Sequence, residues 1–412
     1  MRRLVCFSLL LLGFAVHAAP TADPLRIGLS YPRTGNDKAE GLEQMRGALL
    51  AVDEINAGGG VLGRPLRLET ANSASRAETA VKNVDRLQAR GVVMVFGGAT
   101  SEEVLAASQR AREHGLLYFA TLAYANEVTG QHGHRYLFRE SGSAHMSARV
   151  LGEYLAINQP RRRYFHITRD DAWGNSMERA LRDSTATQDK ARHGRRSLAA
   201  NAARLADMRK ALEAASKSEA DMLVLNLLGN DLVKMLRLIE QQGLNRRLQI
   251  IVPHLTKPLV EQAGPALMAG VIGTETWTWR VAELEKSAAG TNFVKTFIAQ
   301  HQEYPGSTAA STYAIVRQWA AAVERARSSD SQAVIQALEG HQYQLLKGPQ
   351  EWRAFDHQNL QDIYAVRVRP RDEIMKGRLK QDYFEIIYRM KGEQAAVSLE
   401  DWEQERDSLT LE

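Results

Sequence analysis

From residue 25 onward, short apolar runs alternate with longer stretches in which apolar side chains recur every three or four positions. That is the pattern of strands and amphipathic helices taking turns along a chain. Residues 25–30 predict a strand, 43–56 a helix, 66–70 a strand, 77–89 a helix and 92–96 a strand; a helix at 102–114 and strands at 116–119 and 136–139 follow. The rhythm then restarts with helix 144–155, strand 164–168, helices 175–184 and 203–215, strand 222–225, helix 232–241 and strands 248–252 and 270–275. Strands separated by helices need long crossovers, so each set predicts a parallel sheet with helices on its faces. The fold class is α/β, with two doubly wound parallel-sheet lobes.

Two further helices, 293–301 and 312–326, have no strand between them and are assigned to the first lobe; 363–368 and 383–388 are strand candidates. The expected division is a first lobe of 25–140 plus 277–345, a second of 141–276 plus 346–390, and a polar C-terminal tail at 391–412 that is mobile over 398–412. A chain that leaves one lobe, builds the other and returns must cross between them several times, which makes a hinge. Ligands of such sheets sit beyond the carboxyl ends of the strands, here in the cleft between the lobes. Trp277 and Trp279 alternate after a predicted hinge strand as cleft-facing side chains do, with core packing expected for at least one of them.

Composition narrows the class. The 412 residues are 44% hydrophobic and 25% charged, which suits a globular chain of roughly two to three domains and excludes a disordered one. The net charge of +5 is a small surplus of 53 basic over 48 acidic residues without long runs of one sign, so nucleic acid is not an expected partner. Met1, Arg2 and Arg3 precede an apolar stretch at 4–16, and Val16-His17-Ala18 offers small residues for cleavage, so 1–18 read as a signal peptide. The apolar stretch is shorter than the ~18 residues of a membrane span. Cys6, the only cysteine, precedes the apolar core and so makes no lipoprotein site. The expected mature protein has no thiol, disulfide, cofactor or metal, and is a monomer in the periplasm without membrane insertion.

Most motif candidates dissolve on inspection. Gly58, Gly60 and Gly63 match G-x-G-x-x-G, but they end a helix and enter a strand, the reverse of the dinucleotide order, and read as helix-end turns. His132 and His134 lie in a polar loop without a nearby third ligand. Residues 96–103, FGGATSEE, follow a strand and open a helix; Thr100 and Glu103 fit a capping box, while the free N–H groups of the first turn and the Ser101 hydroxyl could cradle a carboxylate.

The stretches LRIGLS (25–30), GALLAVDEINAGG (47–59), VLGRPL (61–66), YLFR (136–139) and STYA (311–314) together resemble the periplasmic binding proteins of branched-chain amino acid type ABC importers, from about residue 25 to 368. The resemblance implies a three-crossover hinge and solute capture without catalysis. It places Thr100, Ser101 and the helix they open at the ligand carboxylate, Ala123 and Tyr124 on a second first-lobe loop, and Trp173 as an aromatic cover from the second lobe. The acidic residue that would pair with a ligand ammonium falls on His254, and a nearby aromatic position on Leu228. Without a carboxylate at 254, an acid lacking an α-ammonium is the expected ligand. A membrane permease and its ATPase are the implied partners. A ligand-sensing module of the same fold and a hydrolase or metal enzyme using His254 or His145 are the alternatives.

Overall fold

The computed structural model describes residues 23–187, 189, 192–200 and 203–410; the expected signal peptide lies outside them. Strands β1 (Leu25–Tyr31), β2 (Leu66–Asn72), β3 (Val92–Gly97), β4 (Leu117–Ala120) and β5 (Leu137–Arg139) form a parallel sheet in the order β2-β1-β3-β4-β5. β4 is buried on both faces, which is why it reads as an unbroken apolar run and not an alternation. A second sheet holds β6 (Tyr164–Asp170), β7 (His193–Ala199), β8 (Met222–Asn226), β9 (Gln249–His254) and β10 (Ile272–Glu275). A small antiparallel sheet of β11 (Gln342–Tyr343), β12 (Gln350–Trp352) and β13 (Asn359–Leu360) follows. β14 (Ile363–Val368) and β15 (Phe384–Met390) then extend the second sheet antiparallel, giving β15-β14-β10-β9-β8-β6-β7.

The chain therefore leaves the first sheet after β5, lays down the second, and returns in the Ala288–His301 and Ser307–Ala326 helices before β14 and β15 complete the second sheet. The returning Ser307–Ala326 helix packs along Lys38–Ala57, the first helix of the chain. Gly47 makes that approach possible, because a Cβ there would stand 2.1 Å from the Ala309 carbonyl oxygen. Trp277 joins this core, edge-on to Phe293 with ring centroids 5.7 Å apart, whereas Trp279 stacks on Tyr304 at 4.2 Å.

Three features depart from the sequence expectation. β7 is an edge strand whose HGRRSLA sequence carries the exposed Arg195 and Arg196, so it lacks an apolar run to announce it. The three strands of the small sheet are too short for periodicity to register. The C-terminal segment is helical at Gly392–Ala395 and Leu399–Thr410, which corrects the mobile tail. Two anchors hold it: the Trp402 indole donates to the Thr129 carbonyl at 2.9 Å, and Arg406 donates to the Gly130 carbonyl at 2.7 Å. Among the described residues no helix is long and apolar enough to cross a membrane.

Gly47→Ala should destabilise the protein by about 1–3 kcal/mol, as overpacking a tight crossing does. Urea unfolding should show a lower midpoint with an unchanged slope; an unchanged midpoint would mean that the two helices separate freely.

Candidate functional site

The site begins where β3 ends. Gly97 at φ +125° and Gly98 at φ +83° swing the chain out of the sheet, and no side chain fits at Gly97, where a Cβ would lie 2.1 Å from the Ser30 carbonyl oxygen. The Ser101–Glu113 helix opens immediately afterwards. Thr100 is its cap, accepting from the Glu103 N–H at 3.2 Å, while the Glu103 carboxyl accepts from the Ala99 N–H at 3.3 Å. The Thr100 half of the predicted capping box thus forms, while the Glu103 carboxyl reaches back one residue further, to Ala99 instead of Thr100. Ser101 is buried, and its Oγ accepts from the Ala125 N–H at 3.1 Å, an arrangement that leaves the hydroxyl proton to donate elsewhere.

Ala125 belongs to the loop after β4 that carries Ala123 and Tyr124. The buried Arg139 fixes this loop by donating to the carbonyls of Ala123 at 3.3 Å and Ala125 at 2.6 Å. From the second lobe, Asp171 caps the Ala172–Ser184 helix through the Gly174 N–H at 2.8 Å and so sets Trp173 in its first turn. β9 delivers His254 at its carboxyl end, and Thr256 caps the Lys257–Ala263 helix.

These elements converge. The Tyr124 and His254 rings meet across the lobes with centroids 3.2 Å apart, and Trp173 presents its edge to His254 at 6.5 Å and 86°. Leu228, at the cap of the Gly229–Gln241 helix, packs against the same apolar cluster as Tyr124 and Trp173. Around this centre the lobes touch through Ala172 N–H to Glu102 at 3.2 Å, Asn126 N–H to Ser176 at 2.9 Å, and Lys257 to Glu43 at 3.4 Å. His145 is elsewhere, lining a cavity with Arg353 and Trp402 beneath the C-terminal helix.

The electrostatics hold two surprises. His254 is only 4% exposed, and burial depresses its pKa to about 3, so the ring is neutral; among the described residues neither its Nδ1 nor the Trp173 Nε1 has a hydrogen-bond partner. The site also contains carboxyls that sequence reasoning missed. Glu40, in the first turn of the Lys38–Ala57 helix, accepts a 3.4 Å hydrogen bond from Thr256, and burial aided by the Asp37 charge pushes it to about 8. Glu275 ends β10 at 4% exposure with no hydrogen-bond partner for Oε1 among the described residues, and burial raises it well above the usual carboxylate range despite the nearby Ser307 hydroxyl. Tyr124 feels both: burial chiefly, then Glu275 and Glu40, raise its hydroxyl pKa. A first-turn acid ordinarily reads as a complement to the helix dipole, which hid Glu40; the position of Glu275 at the carboxyl end of a strand was the available signal.

Comparison with known proteins follows from this geometry. The sequence model of the family described as "Periplasmic binding protein" matches residues 24–373. The Leu/Ile/Val-binding protein homolog 8 of Brucella abortus is 37% identical over 138 residues, 34% of this chain and 34% of that protein, so the match spans about a third of that relative. An amino acid binding protein of Pseudomonas aeruginosa is 27% identical over 344 residues, covering 83% of this chain and 88% of its own. In fold the chain is similar to an amino acid ABC transporter substrate-binding protein from Pseudomonas fluorescens Pf-5, with a TM-score of 0.81, 20% identity, and coverage of 94% and 99%.

The raised pKa of Glu40 has a stability consequence. Between its ordinary 4.5 and about 8 the folded state keeps a proton that the unfolded chain releases, so Glu40 makes stability fall as pH rises through that window. His254 acts oppositely and lower, with stability lost as pH falls from 6.5 through about 3. In ligand-free protein, the melting temperature of Glu40→Gln relative to wild type should therefore climb between pH 4.5 and 8 and then level off. A flat difference across that range would show that Glu40 ionises as freely folded as unfolded.

Proposed function

The chain belongs to the periplasmic binding protein family, and on that premise we propose that it is the solute-capturing component of an ABC importer, closing its two lobes on one small amino-acid-like carboxylate. The observation that carries this reading is the meeting of Tyr124 with His254 and Trp173 of the other lobe, on the loop whose Ala125 N–H is held by Ser101. A helix N-terminus with an available serine proton suits a carboxylate, and two aromatic faces suit an apolar or flat body. The names of the Brucella and Pseudomonas relatives, as Leu/Ile/Val-binding and amino-acid-binding proteins, support an amino-acid-like solute. Delivery would go to a membrane permease powered by a separate ATPase, with this protein acting as an exported periplasmic monomer. The role is binding without turnover.

Ligand should compact the molecule, because the groups that hold it come from both lobes. A thermal-shift panel of the twenty amino acids and small carboxylates would find a binder, since a ligand at ~100 times its Kd stabilises by about 2.7 kcal/mol. Small-angle scattering with that binder should then show a smaller radius of gyration; an unchanged radius at saturation would count against closure.

Ser101→Ala should weaken binding of the same compound by about 1–3 kcal/mol, as loss of a charge-assisted hydrogen bond does. It should also lower melting somewhat, because the Ala125 N–H loses its acceptor. Wild-type affinity by calorimetry would remove Ser101 from the site.

A further inference from the structure

Residues 121–136 join β4 to β5 and carry Ala123 and Tyr124, with Asn126–Val128 as a short helical turn along the way. A connection of that length keeps one position only where its surroundings hold it. On the side of the cleft, Ser101 accepts from the Ala125 N–H at 3.1 Å; from the second lobe, Ser176 accepts from the Asn126 N–H at 2.9 Å and the Ala144 N–H donates to the Tyr124 carbonyl at 2.6 Å. On the far side the hold is the helix Leu399–Thr410. Trp402 donates to the Thr129 carbonyl at 2.9 Å, and Arg406 donates to the carbonyls of Gly130 at 2.7 Å and Gly133 at 3.3 Å. Trp402 is fixed in turn by Phe355, edge-on with ring centroids 5.2 Å apart, and by Arg406, whose guanidinium carbon lies 4.9 Å from the indole centroid. Thr129 is gripped twice, because its hydroxyl accepts at 2.7 Å from Arg139, the residue that also holds the Ala123 and Ala125 carbonyls.

The segment that feeds this helix is tied down before it reaches the loop. Gly392 donates to Asp362 at 3.2 Å and packs so close to the crossing from β13 to β14 that a Cβ would stand 2.5 Å from the Gln361 nitrogen. Gly392–Ala395 lies against the second-lobe helix Ala144–Asn158, and Arg353 donates to the Val397 carbonyl at 2.7 Å. We propose that Leu399–Thr410 is a buttress for the binding loop, with Trp402 and Arg406 as positioning residues that keep Tyr124 against His254. The helix lies beyond residues 24–373, the part of the chain that matches the family. The inference rests on the binding role argued above and adds the element that presets its loop. A loop already in place need not be ordered when the solute arrives, so the buttress raises affinity without touching the ligand.

The test compares the full chain with its double variant Trp402→Phe, Arg406→Met, which keeps a ring on Phe355 and an aliphatic stem at 406 but removes the donors to the loop. Without ligand, hydrogen exchange at the amides of residues 123–133 should quicken about tenfold or more, while the amides of β1 and β8 exchange as in wild type. Calorimetry then uses the two strongest binders from a panel of the twenty L-amino acids, 4-methylpentanoate and 3-phenylpropanoate. Both should bind about three- to tenfold more weakly, the scale of one hydrogen bond, and by the same factor, whereas a side chain in contact with the solute would discriminate between them. Trp402→Phe alone, which removes only the indole N–H, carries the same two readouts if the double variant fails to fold. Unchanged exchange at 123–133, or faster exchange with wild-type affinity, would overturn the proposal and leave the binding role intact. If no member of the panel bound the wild-type protein, the binding role itself would fall, and this inference with it.

Discussion

Parallel strands cannot be joined by a tight turn, and the architecture of this protein descends from that constraint. Each parallel strand that runs toward the cleft must hand the chain to a helix, so helix starts collect along the carboxyl edges of both sheets. Ser101 follows β3, Ala172 follows β6, Gly229 follows β8 and Lys257 follows β9. Thr100, Asp171 and Thr256 cap three of these helices and point their first turns toward the same gap. Binding groups are therefore concentrated in the cleft before any of them is specialised. Specialisation lies in the first turn after the cap: Ser101 after Thr100 on one lobe, Trp173 after Asp171 on the other.

Burial then decides the charge state of what the edges present. His254, Glu103, Glu40 and Glu275 all shift toward their neutral forms, and in each case desolvation is the leading cause. Glu178, in the second lobe, goes the other way to about 2, because His193, Thr168 and Arg195 hydrogen-bond to it and outweigh its burial. The contrast separates two designs in one chain. Glu178 has its cationic partner Arg195 built in, whereas among the described residues Glu40 and Glu275 form no ion pair.

The strands and most helices were legible because apolar runs alternate with helical periodicity, and β4 shows such a run over its whole length and β8 as far as Leu225. Thr100 and Ser101 were legible because they sit at a helix start that the pattern already marked, whereas Trp173 and His254 came forward only through the family resemblance. Glu40 was not: its neighbours in sequence describe an ordinary first turn, and only the approach of Thr256, more than two hundred residues away, makes it a cleft group. β7 escaped because an edge strand with Arg195 and Arg196 has no core face to display. The docking of the last helix rests on Trp402 and Arg406 reaching carbonyls of the 129–133 loop, a pairing that no local periodicity encodes.

Several of the contacts between the lobes are individually weak. Arg179–Glu127 is a pair at 2.6 Å whose arginine is largely exposed, and such pairs contribute about 0–1 kcal/mol. The hydrogen bonds from Ala172 and Asn126 add about 1 kcal/mol each at most, because water replaces them when the lobes part. Against them stand unpartnered polar atoms on Trp173, His254 and Glu275, each of which would regain water on opening. Opening therefore returns water to those atoms at the cost of these contacts and of the buried Lys257–Glu43 pair. A solute that satisfies those atoms only when both lobes reach it tips the balance, and its differential affinity for the closed form is what couples binding to the lobe movement.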